Sequence, residues 1–549
     1  MKNRNRGELS VYLCAMTGVL LLLLVTIIQG VRIWESKARG AQAMTGAVYS
    51  LKGDYQPELF RRYHIFAIDA TYYGRGEGTM EARAEEYLDT NLKSSAGLYT
   101  YEITNVEIHN KKYFMDDDLA GFYTQMNEDM RLRFPVITAQ TVLGSYMQEE
   151  QDAEVSDEHI SWQQAGETSD TTEIPEVLSE QELQDMGLDK IIREQGMEPE
   201  YGVTLEDLKK LKLAEQGWLK DPRQVLETME SNADILQIVI PENVNEVSKE
   251  AVVTGKLPSG GQASHLENIW KMEHLSDVTD MKNWIQGDFG RIPHIEVTES
   301  RELYGVGYAL DCFQHAELKT MEEVQETDTA VPIEEEARGD EENHILTCEL
   351  EYLIAGENSD YKNLETIAEQ LCMIRMVPNA AYAFSDETMK KEALAAAVLI
   401  LTPLGVPELA EPASYVLLGC WAYGESLLDV RRLLHGESVP LFKDETSWRL
   451  SLNGLSELAD ADYKEDGKAG EQGLCYENYL AVLLLMQTDS DIKYYRMLDV
   501  MQLNIQETEP NFQISHCIYE FQIQAEIWEG RKSWYLKETG SYIKTADDR

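Results

Sequence analysis

The chain has 549 residues, 43% of them hydrophobic, enough to bury one large core or several ordinary ones. Its 48 Lys and Arg stand against 98 Asp and Glu, and the net charge of −50 repels nucleic acid and anionic headgroups, which excludes a nucleic-acid-binding function. Of its 7 cysteines, Cys14 lies in an apolar run; Cys312, Cys348, Cys372, Cys420, Cys475 and Cys517 are widely spaced without a CxxC pair. That spacing points away from a zinc site or a small disulfide framework and towards buried free thiols, with one or two disulfides as the alternative.

Residues 1–9 form a basic tail carrying Lys2, Arg4 and Arg6. Val11 to Ile28 then reads VYLCAMTGVLLLLLVTII without a charge, and Gln29 to Val31 extend it to the ~20 residues that a spanning helix needs. Residues 10–31 are therefore expected to cross the cell membrane, with the tail cytoplasmic and a large ectodomain outside, although Arg32, Lys37 and Arg39 make the charge asymmetry shallow. Ala41-Gln42-Ala43 offers a small-x-small cleavage site, but it sits beyond three basic residues, so an uncleaved anchor is the better reading. Trp34, Ala38, Ala41, Val48 and Leu51 recur at helical spacing with no proline before Pro57, which predicts a stalk helix over 32–53 that ends where Gly53 follows Lys52. Gly18, Ala38, Ala41 and Ala47 are the small residues that would let a partner helix approach closely.

A small α/β module is predicted over 54–145. A short helix around Glu58 to Arg62 leads to a buried strand, HIFAIDA (64–70), then to a glycine-rich turn (74–78) and a helix from Thr79 to Leu92. Strand, glycines and helix suggest a dinucleotide site, but Thr79 stands where the third glycine belongs and Glu77 would repel a pyrophosphate. Tyr99, Tyr101 and Ile103, then Val106 and Ile108, read as a strand with a change of phase. A helix from Asp118 follows, with Leu119, Phe122, Tyr123 and Met126 on one side. Asp116, Asp117 and Asp118 are placed to compensate its dipole.

Residues 146–260 are read as an acidic, partly disordered insertion, dense in acids and Ser/Thr, with a short strand at Leu236 to Ile240 (LQIVI). Residues 261–510 are read as mainly helical. Within them Ala393 to Leu404 and Ala413 to Tyr423 are apolar but short of the ~18 residues of a spanning segment, and so are core helices; a membrane-inserted hairpin is the alternative. In the final segment, 511–549, Cys517, Tyr519, Phe521, Ile523, Ala525 and Ile527 alternate with polar residues as a strand that would return beside the amino-terminal strands and close the ectodomain onto its stalk. The expected fold class is α+β.

No residue pattern points to catalysis, a cofactor or a metal. The 10 histidines are scattered without HExxH, and Asp460, Asp462 and Asp466 in DADYKEDG are mismatched to a calcium loop by Lys464 and Glu465. Ser490 and Lys493 form an SxxK that lacks its companion motifs. Catalytic carboxylate pairs depend on spatial separation, which sequence hides.

The stretch RGELSVYLCAMTGVLLLLLVTIIQGVRIWESKARGAQ, followed by PELFRRYHIFAID, resembles uncharacterised membrane-anchored proteins of Gram-positive bacteria associated with tight-adherence (Flp-type) pilus systems. CELEYLIAGENSDYKNL, GCWAYGESLLDVRRLLHGESVPLFKDETSW and GLCYENYLAVLLLMQTDSDIKYYRMLDVMQLNI resemble the same group, itself similar to the TadE/TadG-like minor pseudopilins. The resemblance implies Gly7 and Glu8 as a processing site, yet the fifth residue after Gly7 is Tyr12 where pilin-like proteins carry a glutamate. It implies a non-enzymatic accessory component of such an assembly, with membrane lipid and other pilus proteins as partners. An envelope hydrolase with acidic catalytic residues, or a surface sensor acting through a partner, are the alternatives.

Overall fold

The computed structural model describes residues 4–76, 78–95, 100–133, 177–178, 203–204, 236, 239–240, 247–260, 300–316, 344–401, 410–452, 454–456, 473–487, 490–530 and 532–543. They are mixed helix and antiparallel sheet, and fall into two compact units, Met1–Asp129 with Met501–Arg549, and Met130–Val500. The acidic stretch 134–176, the DADYKEDG loop and the prolines 403 and 407 lie outside the described residues.

The first unit is built on α1 (Arg4–Lys52), which runs unbroken through anchor and stalk. It stops as predicted: the Gly53 amide bonds back to the Tyr49 and Ser50 carbonyls. A short helix α2 (Pro57–Tyr63) follows, with Pro57 in its first turn and the Gln56 side chain accepting from the Leu59 amide at 3.0 Å. The predicted strand 64–70 is corrected: it is buried, but only β1 (Ile68–Asp69) pairs, because the Gln125 side chain takes both the amide and the carbonyl of Phe66, and Ala67 bonds Gln56. Helix α3 (Gly78–Ser95) lays Met80, Ala84, Leu88 and Leu92 on one face.

Strand β2 (Tyr101–Tyr113) shows the change of phase as a bulge. Ile103 opposes Ile527 and Asn105 opposes Glu526, so Thr104 is the extra residue that lets Ile103 and Val106 both face inwards. Helix α4 (Ala120–Arg133) buries Phe122, Tyr123 and Met126. The three aspartates precede it, with no acid in its first turn; Asp116 instead accepts from the Tyr113 amide, so their role is in the turn rather than at the helix dipole.

The two-residue strands β3 (Val177–Leu178) and β4 (Val203–Thr204) pair with each other in the second unit. The helices of that unit are α5 (Ser300–Cys312), α6 (Glu349–Ala355), α7 (Asp360–Ser385), α8 (Glu387–Leu401), α9 (Ala410–Leu434), α10 (Tyr476–Met486) and the greater part of α11 (Ser490–Gln506). The predicted strand at 236–240 is corrected at its described residues: Leu236 and Val239 are helical and buried, and the Ile240 amide bonds the Leu236 carbonyl, an i to i+4 bond that a strand does not make. The apolar runs of α8 and α9 bury Ala393, Ala396, Leu418 and Trp421 against Met376, Ala380 and Phe384 of α7. The last carbonyls of α6, Leu353 and Ile354, accept from the buried Arg496 guanidinium at 3.0 and 2.7 Å. Gly356, at φ +74, makes room for it, since a Cβ there would fall 2.3 Å from Arg496 Nη2.

The chain then returns to the first unit. β5 (Cys517–Glu529) is the centre of the sheet, antiparallel to β2 on one edge and to β1 and β6 (Lys532–Ser541) on the other. Its alternating Phe521, Ile523, Ala525 and Ile527 are buried beneath Ala43, Met44, Ala47, Val48 and Leu51 of α1. This is the predicted return of the final strand beside the amino-terminal strands and onto the stalk helix. The predicted boundaries at residues 54 and 511 therefore fall inside one compact unit.

Candidate functional site

α1 divides physically at Arg32. From Val11 to Val31 its large apolar side chains point outwards on every side, Val11 at 71% and Leu22 at 69% exposed, whereas Ser36, Gly40, Ala43 and Ala47 are buried. Such an all-round apolar surface, over a length of about 20 residues, fits the interior of a bilayer. Among the described residues this is the one helix long and apolar enough to cross a membrane.

Gly7 and Glu8 lie within the helical span of α1. Nothing approaches within 4 Å of where a Gly18 side chain would stand. Along the stalk Trp34, Ala38 and Ala41 are exposed, and the sheet covers the face of Ser36, Ala43, Ala47, Val48 and Leu51. Ala38 and Ala41 thus remain open to a partner helix, whereas Ala47 is spent inside the module.

Sequence reasoning missed the densest cluster of charged groups, which is buried in the second unit. Arg375 Nε, on α7, donates to Asp429 Oδ2 on α9 at 3.0 Å, and its Nη1 donates to the Leu441 carbonyl at 2.8 Å and the Tyr479 hydroxyl at 3.1 Å. Lys443 Nζ lies 2.6 Å from both Glu425 Oε1 and Asp429 Oδ1. Asn379 Nδ2 donates to Asp429 Oδ2 at 2.9 Å and to Ser426 Oγ at 3.0 Å, and Glu425 accepts from the Arg449 and Leu450 amides. Burial pushes the Glu425 carboxyl up despite Lys443, while at Asp429 Arg375 and Lys443 outweigh burial and hold the carboxyl below its ordinary value. Two cations balance two carboxylates, and all four side chains are 0% exposed. With no water-facing atom and each charge paired, the cluster fastens α7, α9 and the segment 441–450 together rather than presenting a group to substrate. A sequence signal existed in Glu425 and Asp429, two acids one turn apart in an apolar helix.

The SxxK lysine is also committed. Lys493 Nζ lies 2.5 Å from Glu302 Oε2 and 3.1 Å from the Leu484 carbonyl. All seven cysteines are free thiols, with Cys348, Cys372, Cys420 and Cys517 buried. Among the described residues no group of three or more His, Cys, Asp or Glu is arranged to hold a metal ion.

No curated protein and no solved structure matches the chain. A family model matches residues 214–528, a span that carries the buried charge cluster and reaches through β5. Since that span exceeds half of the chain, the protein belongs to this family, described as a family of unknown function (DUF5702).

Proposed function

We propose that the protein is a non-enzymatic, single-pass membrane-anchored component that accompanies a tight-adherence pilus or secretion-like assembly, with its amino terminus cytoplasmic and its ectodomain outside. The observation that carries this reading is α1, a helix continuous from an apolar span into the core of a sheet module, which is how pilin-like subunits are built. Exposed Ala38 and Ala41 on the stalk, and Gly18 in the span, are the positions at which partner helices would pack. Photo-crosslinkers placed at Gly18, Ala38 and Ala41 in native membranes are expected to capture transmembrane subunits of that assembly. Capture at none of the three, from protein present at its normal level, would refute the assignment.

A further inference from the structure

The geometry assigns a second membrane contact to the turn end of the β5–β6 hairpin: we infer that it rests in the lipid headgroup layer beside the anchor and is held there by aromatic side chains. This rests on α1 spanning a membrane.

α1 has no break between its apolar span and the sheet, so the position of each level of the module above the bilayer is set by helix rise, ~1.5 Å per residue. The apolar run ends at Val31. Arg32 then stands about 1.5 Å, and Ser36 about 7.5 Å, above the hydrocarbon edge, within a headgroup layer about 5–8 Å thick on each side. A helix tilt of about 20° shortens these heights by only about 6%.

The sheet is bolted to α1 at those levels. Arg32 Nη2 lies 3.3 Å from Glu529 Oε1, at the end of β5, and the Tyr101 hydroxyl, at the start of β2, reaches the Ser36 carbonyl at 3.4 Å. From there β6 climbs the stalk in step with α1: a Gly40 side chain would meet Leu536, Thr45 bonds Glu538, a Gly540 side chain would meet Val48, and the Tyr542 hydroxyl donates to the Lys52 carbonyl. The hairpin turn is consequently the end of the sheet nearest the bilayer.

The residues at that end suit an interface. Trp34 is 74%, Tyr535 67% and Trp528 36% exposed, three of the few large apolar side chains that face outwards beyond the span. Trp and Tyr with one apolar and one polar edge concentrate at headgroup depth. Trp528 and Tyr535 lie on the sheet face turned away from α1, since Ile527 and Leu536 beside them point to it. Glu102 stands opposite Trp528 and Glu526 opposite Tyr535, so the contact made on this face is that of the aromatic rings and not of a basic patch. Anchor and hairpin together give two points of attachment, which fixes the tilt of the sheet against the membrane.

The test uses the full chain in nanodiscs of zwitterionic lipid, with one fluorescent amino acid incorporated at Val19, Lys532 or Thr539. The last two are exposed β6 positions, Thr539 being about 23 Å further along the strand at ~3.3 Å per residue. Lipids bearing a nitroxide on the headgroup are expected to quench Lys532→probe several-fold more than Thr539→probe, and acyl-chain nitroxides to quench Val19→probe. Equal, weak quenching at 532 and 539 with strong quenching at 19 would overturn the hairpin contact alone. No quenching at 19 would overturn the anchor, and the hairpin contact with it. In a W528A/Y535A chain the 532 signal is expected to fall towards the 539 value; an unchanged signal would refute the aromatic basis.

Discussion

Replacing Asp429 by Asn preserves the shape of the side chain and removes one charge from a closed cluster. Arg375 Nε at 3.0 Å, Asn379 Nδ2 at 2.9 Å and Lys443 Nζ at 2.6 Å all lose their carboxylate, and one buried positive charge is left uncompensated. Breaking a buried pair in this way costs about 3–5 kcal/mol, mostly the desolvation of the stranded cation. Combining Asp429→Asn with Lys443→Met restores charge balance in the cluster, since one cation, Arg375, and one carboxylate, Glu425, then remain. The double change is therefore expected to cost less than the sum of the singles by about 1–3 kcal/mol. Two units make a single unfolding free energy ill-defined, so the assay is hydrogen exchange of peptides from α7 and α9, which reads local opening. An Asp429→Asn effect below ~1 kcal/mol, or simple additivity in the double, would refute the claim that the cluster is a mutually compensating lock.

Three further outcomes are expected. Gly540→Val forces a side chain into Phe521 Cζ and Val48 Cγ1, 2.7 and 2.9 Å from the nearest Cβ position, and should cost about 1–3 kcal/mol, read as faster protease release of the β6 segment. Thiol labelling of the native protein in membranes at mildly alkaline pH should reach Cys312 and Cys475 and spare Cys348, Cys372 and Cys517, because burial both shields these three and pushes their thiols up; equal labelling would contradict their placement. Hydroxyls and amides of Thr446 and Ser447 hold Asp444 down to about 2. Its contribution to the 444–447 turn is present above the ordinary carboxylate range and is lost as pH falls through about 2; Asp444→Ala should abolish that acid-dependent step in exchange at Thr446 to Trp448.

How far the sequence carried the fold depended on whether a pattern was local. β5 was legible because its inward residues alternate strictly, and the bulge at Thr104 was legible because Ile103 and Val106 break that alternation. β6 was not, since KSWYLKETGS lacks a clean apolar alternation, and what it needs is a glycine where the stalk comes close. The runs 64–70 and 236–240 are both apolar, yet length and composition cannot tell a ladder from the side-chain-bonded loop at Phe66 or the helical conformation of Leu236 and Val239. The stalk was legible as a helix with its end, but its buried face was not, because that face is chosen by the sheet and not by α1. The buried charge lock was invisible for a related reason: Arg375 finds Asp429 and Leu441 54 and 66 residues away. The apolar span, by contrast, was readable because it is a property of one continuous segment.

On the proposed reading α1 is kept as a permanent anchor continuous with the ectodomain. Its most direct test is the mass of the mature protein in native membranes combined with protease shaving from outside the cell. If α1 stays in the membrane, the ectodomain is digested from outside while a fragment containing Val11 to Val31 remains with the membrane. A mature amino terminus at Gln42 or beyond, with a released ectodomain, would contradict it.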